Sequence, residues 1–170
     1  MSTPDSSEYA PYYGRYVQLV SEPDIVGVLA NQIHATSAEL RAISEVKAGS
    51  RYAPGKWSIK EVLGHMIDTE RIFAYRALRF ARGDQSPLAG FEQDDYVRMA
   101  GFDACRFHDL VDEFELVRRA NVMMFGHLDA DAWARRGVAS SHEITVRALA
   151  YVIAGHERHH MKVLRERYLA

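Results

Sequence analysis

Four long amphipathic segments constrain the fold of this chain more than any other feature of its sequence. They start near residues 21, 58, 103 and 145, and in each the apolar residues recur at the spacing of one helix face. No segment shows the strict alternation of apolar and polar residues that a half-buried strand produces. The chain is therefore predicted to be all-α, a four-helix bundle with a long connection between helices 2 and 3 at residues 83–102.

Capping residues predict where these helices begin. N-caps are expected at Ser21, Ser58, Asp103 and Thr145. Glu61 completes a capping box with Ser58, because its side chain can reach back to the serine N–H. The first helix is predicted to run to about Ala48, and shorter helical turns are predicted over residues 91–97 and 129–133.

At 170 residues the chain is predicted to form a single domain, residues 1–170. Residues 1–20 are expected to form an irregular N-terminal arm. Four tyrosines in this arm suggest that it packs against the bundle, and they make a homodimer plausible: Tyr9, Tyr12, Tyr13 and Tyr16.

Charge and composition exclude several classes of function. The net charge is −2 and the basic residues are scattered, so no nucleic-acid partner is expected. No apolar run approaches the ~20 residues that span a bilayer, and the N-terminus does not resemble a signal peptide. Cys105 is the only cysteine, so no internal disulfide can form, and it is interpreted as a small buried side chain. A cytoplasmic protein without a membrane partner is predicted.

Three histidines are the sharpest functional signal. His156 and His160 are four residues apart and share one face of a helix, and His65 lies on the apolar stripe of another helix. Imidazole is a common ligand for zinc and similar divalent ions. One ion held by all three rings would explain their positions together. Three protein ligands also leave a coordination position open, as in catalytic sites, where a water or a thiol can be activated.

Other interpretations of these residues compete with a three-histidine site. Each histidine could simply be a core residue with a hydrogen-bond partner. The run His156–His160 also fits the zinc-protease pattern His-Glu-x-x-His, with Glu157 as general base. Glu166 is the lone candidate for the third ligand downstream, and a protease fold needs a cleft-forming sheet that is not predicted here. His159 is interpreted as solvated. The remaining histidines are interpreted as surface or loop residues: His34, His108, His127 and His142.

Several acidic residues are candidates for supporting roles. Asp68 and Glu157 are close enough in sequence to orient the imidazoles, although Asp68 is expected rather to pair with Arg71. The connection at residues 84–101 is expected to shape access to the site, with Glu92 or Asp95 as an acid or base.

Two stretches of sequence resemble a known family. The run Trp57–His65 (WSIKEVLGH) resembles the second-helix signature of the DinB-like superfamily, which includes YfiT-type metal-dependent hydrolases. The run Gly155–His160 (GHERHH) resembles that family's His-x-x-x-His on its final helix. Residues 87–96 and 133–137 also look similar, so the resemblance covers roughly residues 22–168. One departure is Met161-Lys162, where many relatives have glycine or alanine followed by glutamine.

The resemblance implies an up-down-down-up bundle with a divalent metal, often nickel or zinc. Its ligands would be His65, His156 and His160. It also implies a small-molecule substrate and either hydrolysis or a transfer or isomerisation that uses a low-molecular-weight thiol. The leading hypothesis is therefore a metal-dependent hydrolase or thiol transferase. The alternative is a non-catalytic stress-response bundle that binds a metal, a small ligand or a partner protein.

Overall fold

The computed structural model describes residues 2–170. Its helices and strands are α1 (Gly14–Val17), α2 (Ile25–Arg41), α3 (Glu45–Ala48), α4 (Ile59–Ala81), α5 (Gln93–Ala100), α6 (Phe107–Gly126), α7 (Ala130–Ala134), β1 (Arg136–Ala139), β2 (His142–Thr145) and α8 (Val146–Val163). Tight helical turns lie at Ser6–Glu8, Pro11–Tyr13 and Phe102–Ala104, and a wider turn at Leu164–Tyr168 follows α8. The long helices α2, α4, α6 and α8 form the predicted four-helix bundle. Within residues 2–170, no helix is both long and apolar enough to cross a membrane.

Two apolar clusters fix the directions of the long helices. The hairpin-end cluster includes Leu29, Phe80, Phe125, Ile144 and Leu149. The far-end cluster includes Leu40, Leu63, Phe107, Phe114 and Met161. Helices α2 and α8 therefore run from the hairpin end to the far end, whereas α4 and α6 run the opposite way. This is the up-down-down-up order that the family resemblance implies.

The parallel arrangement of α4 and α6 explains the long connection between them. Helix α4 ends at the hairpin end and α6 begins at the far end, so residues 82–106 must return along the bundle. The 20 residues of α6 span about 30 Å, a distance that a short loop cannot cover. The helix α5 lies within this return segment.

A layer of polar side chains separates the two apolar clusters. The polar layer consists of Thr36, His65, Thr69, Glu70, Arg118, His156 and Glu157, and all seven are buried. They come from all four long helices, at the level where each helix passes from one cluster to the other. Burying this many polar groups is costly unless they are paired or bind a ligand. A functional site is therefore expected in this layer.

The predicted capping of α4 and α8 is confirmed. The Ser58 hydroxyl accepts from the Glu61 N–H at 3.1 Å, and the Glu61 carboxylate accepts from the Ser58 N–H at 2.7 Å. The Thr145 hydroxyl accepts from the Ala148 N–H at 3.0 Å. These caps fix the start of the two helices that carry the three histidines.

The predicted first helix is wrong at both ends. Asp24, not Ser21, caps α2, and its carboxylate accepts from the Gly27 N–H at 3.0 Å. The helix ends at Arg41, and Ser44 caps the separate helix α3, which ends at Ala48. The helical spacing of apolar residues extends beyond the end of α2 because Ile43, which lies between α2 and α3, also packs in the far-end cluster.

The predicted start of the third long helix is also wrong. Asp103 lies in a tight turn, where its carboxylate accepts from the Ser58 hydroxyl at 2.6 Å and pairs with Arg51 at 2.5 Å. Helix α6 begins only at Phe107. Asp103 therefore joins the connection to the start of α4 instead of capping a helix. Cys105, two residues further on, packs against the far-end cluster but is only half-buried, so it is less buried than predicted.

The expectation that the chain contains no strand is wrong as well. β1 and β2 form an antiparallel hairpin in which Gly137 pairs with Ile144. Ser140 and Ser141 form its two-residue turn with positive φ angles of 52° and 66°. Asparagine and glycine usually occupy such turns, so this sequence lacks the usual hairpin signal. Leu88 of the return segment pairs with this hairpin at Ala139.

The N-terminal arm packs on the bundle as predicted, but it is partly helical. Tyr16 and Val17 of α1 are buried in the hairpin-end cluster. The Glu8 carboxylate accepts from the Thr145 hydroxyl at 2.8 Å and from Arg147 Nε at 3.1 Å. These contacts hold the arm against α8.

The residues between the arm and α2 provide a pH-dependent contact. Arg158 of α8 donates to both carboxylate oxygens of Glu22, at 2.7 and 3.2 Å, and these hydrogen bonds lower the pKa of Glu22 from 4.5 to about 2. The pair therefore stabilises the fold above about pH 4.5, and this contribution is lost as the pH falls towards 2.

We expect Glu22→Gln to lower the free energy of unfolding at neutral pH by about 0.5 kcal/mol, since both side chains are partly exposed. Urea unfolding of both proteins at several pH values measures the difference, which should vanish in acid. A difference that is the same at every pH would contradict the assignment.

Candidate metal centre

Three imidazoles meet in the polar layer at the contact between α4 and α8. His65 Nε2 lies 3.0 Å from His156 Nε2, and His160 Nε2 lies 3.1 Å from the same atom. One ring nitrogen from each residue lies within 4.8 Å of the other two. His65 and His156 are buried, and His160 is half-buried. The three histidines singled out in the sequence therefore form one cluster.

The spacing of these nitrogens fits a shared metal ion better than hydrogen bonds. An imidazole nitrogen offers either one N–H or one lone pair, so His156 Nε2 cannot make two good hydrogen bonds to nitrogens of the other rings. For metal–nitrogen bonds of about 2.0–2.1 Å, two ligand nitrogens lie about 2.9 Å apart at a right angle and about 3.4 Å apart at the tetrahedral angle. The observed 3.0 and 3.1 Å fall between these values.

Burial keeps the three rings in the neutral form that binds metals. Burial lowers the pKa of His65 to about 4. Burial, followed by the neighbouring histidines, lowers the pKa values of His156 and His160 well below their ordinary value. Because a metal ligand must be unprotonated, the rings need not lose a proton on binding at neutral pH.

Neighbouring side chains hold the three rings in place. The Thr69 hydroxyl lies 3.4 Å from His65 Nδ1, the ring nitrogen that faces away from the cluster. The Trp57 ring packs on His65 at 4.9 Å between centroids, and Tyr16 of the arm packs edge-on against His156 at 5.3 Å. Such partners fix the orientation of ligand rings.

The two acidic residues considered as imidazole partners are engaged elsewhere. Asp68 lies 3.8 Å from Arg71, its expected partner, but Arg71 pairs more closely with Glu113, at 2.6 Å. Glu157 is paired with Arg118 at 2.6 Å and accepts a hydrogen bond from Thr36. Its carboxylate is thereby committed to the interior of the bundle, and this argues against the general-base role of a zinc-protease motif.

A cavity of about 560 Å³ opens beside the cluster and is lined in part by His65 and His156. Its volume is within the range of small-molecule sites. Glu92 and Asp94, from the start of α5 and the residue before it, also line this cavity. Asp95 does not line it and is paired instead with Arg98 at 2.5 Å. Of the two acid or base candidates, only Glu92 therefore faces the cavity.

A second cavity of about 320 Å³ is lined in part by His160. Asp94 lines both cavities. Sequence reasoning missed Asp94, because three acidic residues follow one another closely in this segment and only the placement of α5 selects among them. The one sequence signal for Asp94 was its position in the first turn of a helix, where acidic residues are favoured.

The other histidines lie outside the cluster. His34, His108 and His127 are exposed, as predicted. His142 is also exposed, and it lines the larger cavity. His159 is half-buried, with its ring 5.6 Å from that of Tyr16, so it is less solvated than predicted.

Two solved structures are similar to this chain. YfiT from Bacillus subtilis, described as a probable metal-dependent hydrolase with an unusual four-helix bundle topology, aligns with a TM-score of 0.74 and 13% identity over 93% of each chain. The mycothiol-dependent maleylpyruvate isomerase aligns with a TM-score of 0.67 and 10% identity, over 81% of this chain and 58% of that one. At these identities the similarity establishes the fold alone.

Sequence comparison identifies the family directly. No curated protein matches the chain. The DinB superfamily matches residues 29–164, which is well over half of the chain and includes all three clustered histidines. The resemblance seen in the two sequence runs is thus confirmed, and the chain belongs to the DinB superfamily.

Proposed function

We propose that this protein is a metal-dependent enzyme, a hydrolase or a low-molecular-weight-thiol transferase. Its metal would be one divalent ion, nickel or zinc, with His65, His156 and His160 as ligands. The observation that carries the proposal is the convergence of three neutral imidazole nitrogens beside a cavity large enough for a small molecule. A bound ion of this kind polarises a carbonyl group and makes a water or thiol more acidic.

The surrounding residues would prepare the site for that chemistry. Thr69 and Trp57 hold the His65 ring, and Tyr16 holds the His156 ring. Burial raises the pKa of Tyr16, so its phenol stays protonated and remains a neutral part of the cavity wall. Glu92 is the remaining candidate for an acid or base at the cavity.

The cavity favours an enzyme over a bundle that only stores or senses a metal. A closed metal site needs no space beside it, whereas a catalytic site keeps one coordination position accessible. Here both His65 and His156 line the larger cavity, and His160 lines the smaller one. The similarity to YfiT, described as metal-dependent, supports the same choice. A cytoplasmic homodimer stays a prediction from the sequence.

Metal content tests this proposal directly. We expect protein purified without a histidine tag to contain about one equivalent of nickel or zinc by elemental analysis. His156→Ala removes the nitrogen that lies next to both other rings, so it should reduce the content to less than about one tenth of an equivalent. Circular dichroism would check that the variant remains folded.

His159→Ala is the matched control, because His159 lies on the same helix next to His160 but its nitrogens are outside the cluster. It should retain the metal. Wild-type protein that binds no nickel or zinc even after reconstitution would overturn the metal site. Equal loss in both variants would show that the ion is held elsewhere.

A further inference from the structure

The cavity beside the three histidines has aromatic walls. Five rings line it: Tyr12, Tyr13, Tyr16, Phe73 and Phe91. Tyr13 packs edge-on against Phe73 at 5.9 Å between centroids, and Tyr16 packs against His156 at 5.3 Å, so the rings support one another. The faces of such rings attract flat apolar groups and also cations, through the negative potential of the π-system.

The charged groups that line the cavity are acidic. Glu92 and Asp94 contribute carboxylates, whereas among residues 2–170 no lysine or arginine lines it. Arg15 lies outside the lining, over the Tyr12 ring at 3.7 Å and the Tyr16 ring at 5.4 Å. Arg76 is buried nearby, over the Phe73 ring at 5.3 Å and the Phe91 ring at 6.0 Å, and its guanidinium donates to the Ala89 carbonyl at 2.8 Å and the Ser140 hydroxyl at 3.1 Å. Apart from the metal ion proposed above, the cavity therefore offers carboxylates to a cation and offers no lysine or arginine of its lining to an anion.

The wall that carries these carboxylates is held in place by the hairpin. Leu88 N–H donates to the Val138 carbonyl at 2.9 Å, and Ser140 N–H donates to the Leu88 carbonyl at 3.0 Å. Together with the hydrogen bond from Arg76 to Ala89, these contacts anchor Leu88 and Ala89, just before the acidic segment, to the hairpin before any ligand arrives. A wall that needs no reordering loses less free energy on binding.

We propose that this cavity takes a substrate with a flat apolar body and a cationic amino group. The body would lie between the aromatic rings, and the amino group would lie near Glu92 and Asp94. In this arrangement Glu92 binds the substrate and does not act as the acid or base. The reacting group, at the opposite end of the molecule, would face His65 and His156. This substrate class deepens the function proposed above. Only the placement of the reacting group at His65 and His156 rests on that function.

Three probes of similar size test the charge preference: phenylethylammonium, phenylethanol and phenylpropanoate. Their binding is measured by calorimetry, on protein as purified and again after chelation, because a metal would itself attract the carboxylate. We expect the ammonium probe to bind about tenfold more tightly than the other two, as a cation–π contact and an exposed charge pair together would produce. The preference should shrink with added salt.

The double variant Glu92→Gln/Asp94→Asn should remove the preference. Asp95→Asn is the matched control, because it removes a neighbouring carboxylate that lies outside the cavity. Equal binding of the three probes, no ammonium binding at millimolar concentration, or a preference that survives the double variant would overturn the proposal. After chelation these results do not depend on the metal, so failure of the metal site leaves the preference intact and failure of the preference leaves the metal content intact.

Discussion

Replacement of Arg118 by methionine is expected to lower the free energy of unfolding by about 3–5 kcal/mol, the usual result of removing one partner from a buried ion pair. Arg118 donates to both oxygens of Glu70, at 2.7 and 2.8 Å, and lies 2.6 Å from Glu157. All three side chains are at most 4% exposed. The variant would leave two carboxylates buried in the polar layer without a cation, and equilibrium unfolding in urea would measure the loss.

Arg119→Met is the matched control. Arg119 is the next residue of α6, but its side chain is 61% exposed and its contact with Glu115 is a loose one, at 3.8 Å. Its loss should change the free energy of unfolding by less than about 0.5 kcal/mol. Adding Glu157→Gln to the Arg118 variant should recover part of the stability, because one uncompensated charge is removed. Equal effects of the two single arginine variants would contradict the role assigned to the buried network.

Gly155→Ala is expected to destabilise the protein by about 1–3 kcal/mol, even though alanine favours helices over glycine. A Cβ atom at Gly155 would overlap the carbonyl oxygen of Tyr16 and lie 2.6 Å from the Tyr16 carbonyl carbon. Because the clash is with backbone atoms, it cannot be relieved by a change of side-chain rotamer, and α1 must move away from α8. Because the Tyr16 ring packs on His156, this movement would also disturb the histidine cluster.

Thermal unfolding and metal content of Gly155→Ala measure the two parts of this effect. Gly126→Ala is the control, since a Cβ at Gly126, at the end of α6, would meet only Val26 at 4.0 Å. That variant should unfold at or slightly above the wild-type temperature. Unchanged stability of Gly155→Ala would show that the arm can leave α8 without cost.

Patterns within one helix were sufficient to predict much of the bundle and the cluster. The capping box at Ser58 depends on residues three positions apart, and the pair His156 and His160 depends on one helical turn. Such features are decided by local geometry, which the sequence encodes directly. The position of His65 on an apolar stripe followed from the same periodicity.

Features that depend on distant partners were not predicted. Asp103 has the composition of a helix cap, yet its carboxylate accepts from Ser58, which lies 45 residues away. The hairpin turn at Ser140 and Ser141 has no local sequence signal, and Leu88 of the return segment pairs beside it. These contacts arise only when the parallel helices α4 and α6 require the chain to return along the bundle.

The sequence by itself determined that four long helices form, where the two that carry the histidines begin, and which three imidazoles lie on their apolar faces. The tertiary structure alone decided that these rings meet at one level, that Glu157 faces Arg118 instead of an imidazole, and that Asp94 rather than Asp95 lines the cavity. The physical reason is that helical periodicity specifies a direction around one axis. The height and rotation of one helix relative to another are set by packing between them.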